Sequence, residues 1–138
     1  MSGIDPEGSN PAAEEVARSY LASFATADPD AVAAHVAAGF VNDHASALGR
    51  RSVGRDEYRS RLPAFLASFP GLSYQVKSVI SDESRDGVVA VEYRMTATSD
   101  DCPIDIRGVM VMAVSDGLIT RRTDYWDALT FLRQTGAG

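Results

Sequence analysis

The stretch that decides the fold is Asp116–Asp127, which reads DGLITRRTDYWD. An Asp-Gly pair favours the tight turn of a β-hairpin, and the residues after Gly117 predict a strand that runs to Trp126. Because successive side chains of a strand point to opposite faces, Arg122, Asp124 and Trp126 are expected to share one face. A carboxylate beside an indole on such a face is either a satisfied structural acid or a catalytic acid/base in an apolar pocket.

Three more strands are predicted before this one. The four candidates cover residues 72–81, 87–99, 103–114 and 118–126, and turn-rich segments separate them. The second candidate alternates cleanly, with one face made of Val89, Val91, Tyr93 and Met95. The third places on one face Ile104, Ile106, Gly108, Met110 and Met112. Short connections between alternating segments predict an antiparallel meander.

The first half of the chain predicts helices. Apolar residues at helical spacing indicate helices over residues 11–27, 28–38 and 54–69, while residues 40–46 are either a strand or a loop and 47–53 read as a loop. Asp127 is expected to cap a short terminal helix. Helices followed by a meander predict an α+β fold, a cone-shaped curved antiparallel sheet with about three helices on one face. Residues 1–10 read as a disordered lead-in, and 11–138 as one domain.

Composition excludes several classes of function. The chain has 138 residues, a net charge of −6 and no basic run, so a nucleic-acid partner is not expected. No apolar stretch approaches the ~20 residues of a membrane span, and the first ten residues do not resemble a signal peptide. Cys102 is the single cysteine, which suits a cytoplasmic protein. The two histidines lack metal-ligand spacing, so no metal and no cofactor are expected.

Three segments carry a resemblance to the nuclear transport factor two-like superfamily, which includes SnoaL-like polyketide cyclases, ketosteroid isomerases and limonene epoxide hydrolases. Residues 19–28 resemble the first helix of the isomerases. Residues 108–110 with 116–119 resemble the penultimate hairpin of the family. Residues 124–127 resemble the Asp-Tyr-Phe-Asp end of the epoxide hydrolases and the close of the cyclases. The resemblance implies the same curved α+β fold and commonly a homodimer.

The resemblance also implies roles for particular residues. Tyr20 matches the isomerase tyrosine that binds the substrate oxyanion, and His44, or Asp43 with a one-residue gap, falls at the isomerase base. Gly108 replaces the third isomerase residue, a protonated aspartate. Asp124 matches the aspartate that activates water in the epoxide hydrolases, whose water partners fall near Asn42 and His44. The Arg-x-Asp pair of that family becomes Tyr93-x-Met95 here.

A candidate site follows from these matches. The expected catalytic residues are Asp124, His44 and Tyr20, with Asp124 as the acid/base. The expected substrate-binding residues are Asn42, Tyr93, Met110, Met112, Arg122 and Trp126. Structural alternatives remain: Asp124 could pair with Arg122 or cap the last helix, and Tyr20 could be part of the helix core. An apolar site suits a small apolar molecule.

Three further choices stay open or rest on expectation. Arg50, Arg51 and Arg55 read as solvated loop residues, or else as a gate for an anionic group. Two functions remain: a cofactor-free cyclase, isomerase or hydrolase acting on a polyketide- or terpenoid-like substrate, or a non-catalytic protein that binds a small apolar ligand or a protein partner. Val109 and Val111 make the outer sheet face partly apolar, which favours a homodimer.

Overall fold

The computed structural model describes residues 11–44 and 50–136. In chain order, these residues form α1 (Pro11–Ser23), a 3-10 turn (Phe24–Thr26), α2 (Pro29–Ala33), β1 (Val36–His44), β2 (Ser52–Val53), α3 (Arg55–Ser68), β3 (Ser73–Ser81), β4 (Val88–Ser99), β5 (Cys102–Ser115), β6 (Leu118–Trp126) and α4 (Ala128–Gln134). The predicted lead-in at residues 1–10 lies outside the described residues, as do residues 45–49 of the predicted strand-or-loop and loop segments.

The six strands form one sheet in the order β2-β1-β6-β5-β4-β3. The α+β prediction is confirmed, with four helices on a curved sheet that does not close into a barrel. The prediction of a wholly antiparallel sheet is wrong, because β1 pairs with β6 in parallel while the other neighbours are antiparallel. β1 and β6 are far apart in sequence, so no hairpin turn fixes their relative direction.

The second helix ends earlier than its sequence predicts. α2 stops at Ala33 and β1 begins at Val36, although residues up to 38 were expected to be helical. The backbone N–H of Ile119 donates to the carbonyl oxygen of His35 at 2.9 Å, and pairing with β6 starts there. Tertiary pairing therefore overrides the helix preference of the alanines in this segment. Ser52 and Val53, expected in a loop, form the short edge strand β2.

The alternation predicted for the strands is present in the structure. In β4, Val89, Val91, Tyr93 and Met95 are all buried on the inner face. In β6 the pattern holds despite a register shift against β5 between Ala113 and Val114, because the shift lies before the functional segment. Asp124 is therefore 4% exposed, whereas Tyr125 is 52% exposed.

The helices cover the inner face and leave a cavity at one end of the sheet. α1 packs across β3, β4 and β5. Asp127 caps α4 as predicted, because its carboxylate accepts the backbone N–H of Thr130 at 3.0 Å. Among the described residues, no helix is long and apolar enough to cross a membrane.

Candidate active site

A cavity of about 390 Å³ lies between the inner sheet face, α3 and α4. Its wall is mainly aromatic and aliphatic, with a few polar groups near Asp124. The lining residues are Phe24, Asn42, His44, Arg50, Tyr58, Arg61, Leu62, Phe65, Phe69, Tyr74, Tyr93, Met95, Ile104, Ile106, Arg122, Asp124, Trp126 and Phe131. A concave apolar site with a few convergent polar groups is typical of small-molecule binding.

Asp124 is the carboxylate of this cavity. It lies on β6 directly across from His44 of β1 and Met110 of β5. The hydroxyl of Tyr93 donates to Asp124 Oδ1 at 2.7 Å. Burial raises the pKa of the Asp124 carboxyl, while the nearby charge of Arg122 and the Tyr93 hydrogen bond lower it. A base with a raised pKa accepts a proton more readily near neutral pH.

Arg122 supplies the buried positive charge beside this carboxylate. Its Nε donates to Asn42 Oδ1 at 3.0 Å, and its Nη1 donates to the Tyr20 hydroxyl at 2.8 Å. Its Nη2 lies 3.3 Å from His44 Nε2. A guanidinium stays protonated in proteins, and these bonded partners are neutral groups. The charge of Asp124, the next inward residue of β6, therefore balances Arg122 in the cavity wall.

The contact with Arg122 determines the tautomer of His44. Because a guanidinium only donates hydrogen bonds, His44 Nε2 accepts and Nδ1 carries the hydrogen. Burial and the charge of Arg122 lower the pKa of His44 to about 4, so the imidazole is neutral at pH 7. Its Nδ1 lies 3.8 Å from Asp124 Oδ2, which is too long for a direct hydrogen bond. A neutral donor and a carboxylate oxygen thus stand side by side.

Trp126 contributes a second donor on the same face. Its indole Nε1 is buried and has no hydrogen-bond acceptor among the described residues, and the same is true of His44 Nδ1. Buried donors are nearly always paired, so these two are polar atoms for which the described residues supply no acceptor. His44 neighbours Asp124 across the strands, and Trp126 lies two residues further along β6.

Three predicted site residues lie outside the cavity wall. Tyr20 is fully buried in the core, where its hydroxyl bonds to Arg122 and, at 2.5 Å, to the Tyr58 hydroxyl. Tyr58 of α3 is the phenol that reaches the cavity in its place. Met110 and Met112 are fully buried and do not line the cavity. The inner face of β5 was predicted correctly, but its cavity end carries Ile104 and Ile106 instead.

The alternative base Asp43 points away from the site. Its side chain pairs with Arg121 at 3.0 Å, and it does not line the cavity. The predicted substrate-binding residues that line the cavity are Asn42, Tyr93, Arg122 and Trp126; their contact with a substrate stays a prediction. Among the described residues, no three His, Cys, Asp or Glu side chains form a group that could hold a metal ion.

Sequence reasoning missed two phenols and one arginine of the wall. Tyr58 falls within the predicted third helix and Tyr74 within the first predicted strand, and neither was singled out as a site residue. Tyr58 is buried and Tyr74 half-buried in the cavity wall, and Arg61 lies on the same helix as Tyr58. The helical stripe was the available signal, because Tyr58, Leu62 and Phe65 share one face of α3. Which of them border a cavity depends on how the sheet curves.

The comparisons with known proteins agree with this architecture. The sequence model of the SnoaL-like domain matches residues 17–122. A protein of ketosteroid isomerase-like fold from Catenulispora acidiphila, solved with trimethylamine, superposes with a TM-score of 0.81 at 17% identity, over 94% of this chain and 96% of that chain. An LEH-like epoxide hydrolase from M. tuberculosis superposes with a TM-score of 0.75 at 20% identity, over 91% and 93% of the two chains. At these identities the likeness shows the fold.

One curated protein is similar in sequence. A 2-phospho-L-lactate guanylyltransferase from Halorubrum lacusprofundi is 34% identical over 116 residues, which are 84% of this chain and 52% of that protein. The chain therefore spans about half the length of the curated relative that it matches.

Proposed function

The chain belongs to the SnoaL-like family, and we propose that it is a cofactor-independent acid/base enzyme acting on an apolar polyketide- or terpenoid-like carbonyl compound or epoxide. The observation that carries this proposal is the Asp124 carboxylate in an apolar cavity. One of its oxygens is held by Tyr93, and the other lies across a 3.8 Å gap from His44 Nδ1. Asp124 is the base, and His44 is a neutral hydrogen-bond donor.

The geometry suits proton abstraction next to a carbonyl. The oxygen and the α-carbon of a carbonyl compound are two bonds apart, so one substrate reaches both His44 Nδ1–H and Asp124 Oδ2. Asp124 takes the α-proton, the C–H electron pair forms the C=C bond of an enolate, and the carbonyl π pair moves to oxygen. His44 or Trp126 donates to that oxygen, which stabilises the developing charge.

The enolate then has two outcomes. Asp124 returns the proton to a different carbon, which is an isomerisation, or the enolate carbon attacks a second carbonyl group, which closes a ring and leaves an alkoxide that takes the proton back from Asp124. With an epoxide, the same carboxylate would deprotonate a water that attacks one ring carbon. The C–O bond at that carbon breaks, and the alkoxide that forms takes the proton from Asp124. All three reactions need one base in an apolar cavity, and general base catalysis of this kind typically contributes about 10²–10⁴-fold to the rate.

The open cavity favours an enzyme over a non-catalytic binding protein. If Met110, Met112 and phenylalanine side chains filled the cone, a binding role or a purely structural role would be favoured. Both methionines lie in the core instead, and the cavity has Asp124 in its wall. The desolvated carboxylate also supports catalysis. Burying a charge is unfavourable, and a site that only binds an apolar ligand does not need a buried carboxylate.

The test is hydrogen–deuterium exchange at the α-carbon of a carbonyl compound. Cyclic ketones of about 10 to 15 carbon atoms would be incubated with the protein in D₂O, and NMR would follow the loss of the α-proton signals; such molecules suit a pocket near the small end of the usual range. The proposal expects exchange above the buffer rate for at least one ketone that binds. Binding without any exchange would identify a non-catalytic pocket protein and contradict the proposal.

A homodimer in the cytoplasm is part of the same proposal. Val109 and Tyr125 lie side by side on the outer face of the sheet, paired across β5 and β6, and are 37% and 52% exposed. Apolar groups on an outer sheet face favour a covering partner, and a second copy of this chain offers the same surface. A single free cysteine, Cys102, supports the location in a reducing compartment.

A further inference from the structure

The exposed part of the cavity wall is made of arginine. Among the lining residues only Arg50 and Arg61 are exposed, whereas Asp124 and the apolar side chains of the wall are buried or half-buried. The two arginines therefore mark the mouth of the cavity. A hydrogen bond of 3.5 Å from Arg61 Nη1 to the carbonyl oxygen of Arg51 links α3 to the residue that follows Arg50.

The charge of the wall is opposite to that of the whole chain. Three guanidinium groups, those of Arg50, Arg61 and Arg122, line the cavity together with one carboxylate, that of Asp124. His44 adds no charge at pH 7, because its pKa is lowered to about 4. The chain itself has a net charge of −6. A positive cavity in an acidic protein attracts anions, since low-dielectric walls focus the field of the charges that line them.

The arginines at the mouth are available to a ligand. Arg50 has no hydrogen bond or ion pair among the described residues. Arg61 pairs with Glu57 at 2.6 Å, but both side chains are nearly half exposed. Exposed i,i+4 ion pairs are weak because water screens them, so Glu57 competes weakly with an incoming anion.

We propose that the ligand of this cavity carries an anionic oxygen group, such as a carboxylate or phosphate, at the end of an apolar body. The apolar body fills the aromatic cavity, and the anionic group lies between Arg50 and Arg61 at the mouth. A guanidinium fork suits such groups because it donates two parallel N–H bonds. This inference rests on the proposed function only for the cavity as the ligand site, and not on the chemistry of Asp124.

The test uses two fluorescent dyes that differ by one charge. Anilinonaphthalene sulfonate and N-phenylnaphthylamine share one aromatic body, but only the first carries a sulfonate. Fluorescence titration would measure both affinities for the full chain and for the double variant Arg50→Gln/Arg61→Gln. A Glu57→Gln variant removes the ion-pair partner of Arg61 and should therefore strengthen binding of the sulfonated dye, whereas the double variant should weaken it. Arg107→Gln, an exposed arginine outside the cavity wall, is the matched control.

The expected result is a charge preference that depends on the two arginines. The sulfonated dye should bind roughly fivefold more tightly than the neutral dye at low salt, and salt at about 0.5 M should reduce this preference. The double variant should lose the preference without a change in affinity for the neutral dye. Glu57→Gln should bind the sulfonated dye more tightly than the parent chain does. Arg107→Gln should bind it with the same affinity as the parent chain.

Three results would overturn the inference. Equal affinities for the two dyes in the parent chain would remove the charge preference. If the double variant lost affinity for both dyes, the arginines would shape the cavity rather than recognise an anion. Binding of neither dye would remove the apolar site as well. A charge preference in a protein that exchanges no α-protons would leave this inference standing while contradicting the proposed enzyme.

Discussion

The hydroxyl of Tyr93 occupies the space that a side chain at position 108 would fill. Tyr93 of β4 and Gly108 of β5 are cross-strand partners. A Cβ built on Gly108 would collide with the Tyr93 hydroxyl oxygen and lie 2.6 Å from Tyr93 Cζ. The missing side chain therefore lets the phenol lie across β5 and reach Asp124 on β6. Gly108 positions the residue that holds the proposed base.

Gly108→Ala is expected to move Tyr93 and break its hydrogen bond to Asp124. Overpacking of this kind typically costs about 1–3 kcal/mol of unfolding free energy. Loss of the hydrogen bond removes one contribution that lowers the pKa of Asp124, so the acid limb of the exchange rate should move to higher pH.

The measurement is a pH–rate profile together with denaturant unfolding. Tyr93→Phe is the control, because it removes the hydroxyl and keeps the ring. It should produce the same displacement of the acid limb with a smaller loss of stability. An unchanged acid limb in both variants would mean that the Tyr93 bond does not tune Asp124.

Arg122→Leu is expected to destabilise the fold strongly. The change removes the donor to Asn42 and Tyr20 and leaves the buried Asp124 carboxylate without a balancing charge. Breaking a buried charge arrangement by removing one partner costs about 3–5 kcal/mol. The pKa of Asp124 should rise further in this variant, because in the parent chain the positive charge of Arg122 lowers it.

A double-mutant cycle separates the two charges. Urea unfolding of Arg122→Leu, Asp124→Asn and the double variant gives the coupling free energy. The double variant should recover part of the stability lost in Arg122→Leu. Additive losses would show that the two charges do not compensate each other.

His44 should make the protein sensitive to acid. Its pKa is about 4 in the folded chain and about 6.5 when it is unperturbed. The unfolded chain therefore binds the proton more tightly, and folding stability falls as the pH drops from about 6.5 to about 4. The difference between the two pKa values corresponds to a loss of at most about 3 kcal/mol in the free energy of unfolding. This value is an upper bound because His44 is only half-buried.

The measurement compares the parent chain with His44→Gln by urea unfolding across this pH range. Asp124 acts in the opposite direction, since a raised carboxyl pKa favours the folded state on acidification, and the difference between the two proteins cancels its effect. The stability advantage of the parent chain over His44→Gln should shrink on acidification. A constant difference would contradict the lowered pKa of His44.

Val109→Asp is expected to give a monomer if the outer sheet face is the dimer interface. A buried unpaired carboxylate at an interface is strongly unfavourable, and Val109 lies on the exposed face, outside the cavity wall. Sedimentation velocity at tens of micromolar protein would measure the change. The exposed Leu129 of α4, which is not part of the sheet, is the control position, and Leu129→Asp should leave the assembly intact. A parent chain that is already monomeric contradicts the proposed homodimer.

Strand alternation carried most of the information about the site. It predicted which face of β6 turns inward from Arg122 onward, because the register shift between Ile119 and Arg121 lies before Arg122 and Asp124. It could not predict where along β5 the cavity ends, because that limit depends on tertiary packing against the sheet, and Met110 and Met112 were placed in the wall for this reason. The same limitation applies to Tyr20, whose position depends on how α1 meets α3. The parallel pairing of β1 with β6 also left no local signal in the sequence.

The measurement that tests the central claim most directly is α-proton exchange by Asp124→Asn compared with Asp43→Asn. Both variants remove one carboxylate on neighbouring strands, but Asp43 lies outside the cavity and pairs with Arg121. We predict that Asp124→Asn loses exchange by about 10²–10⁴-fold in a protein that still unfolds cooperatively, with a lowered melting temperature because Arg122 loses its balancing charge, and that Asp43→Asn keeps its activity. Full exchange activity in a well-folded Asp124→Asn protein would contradict the assignment of Asp124 as the base.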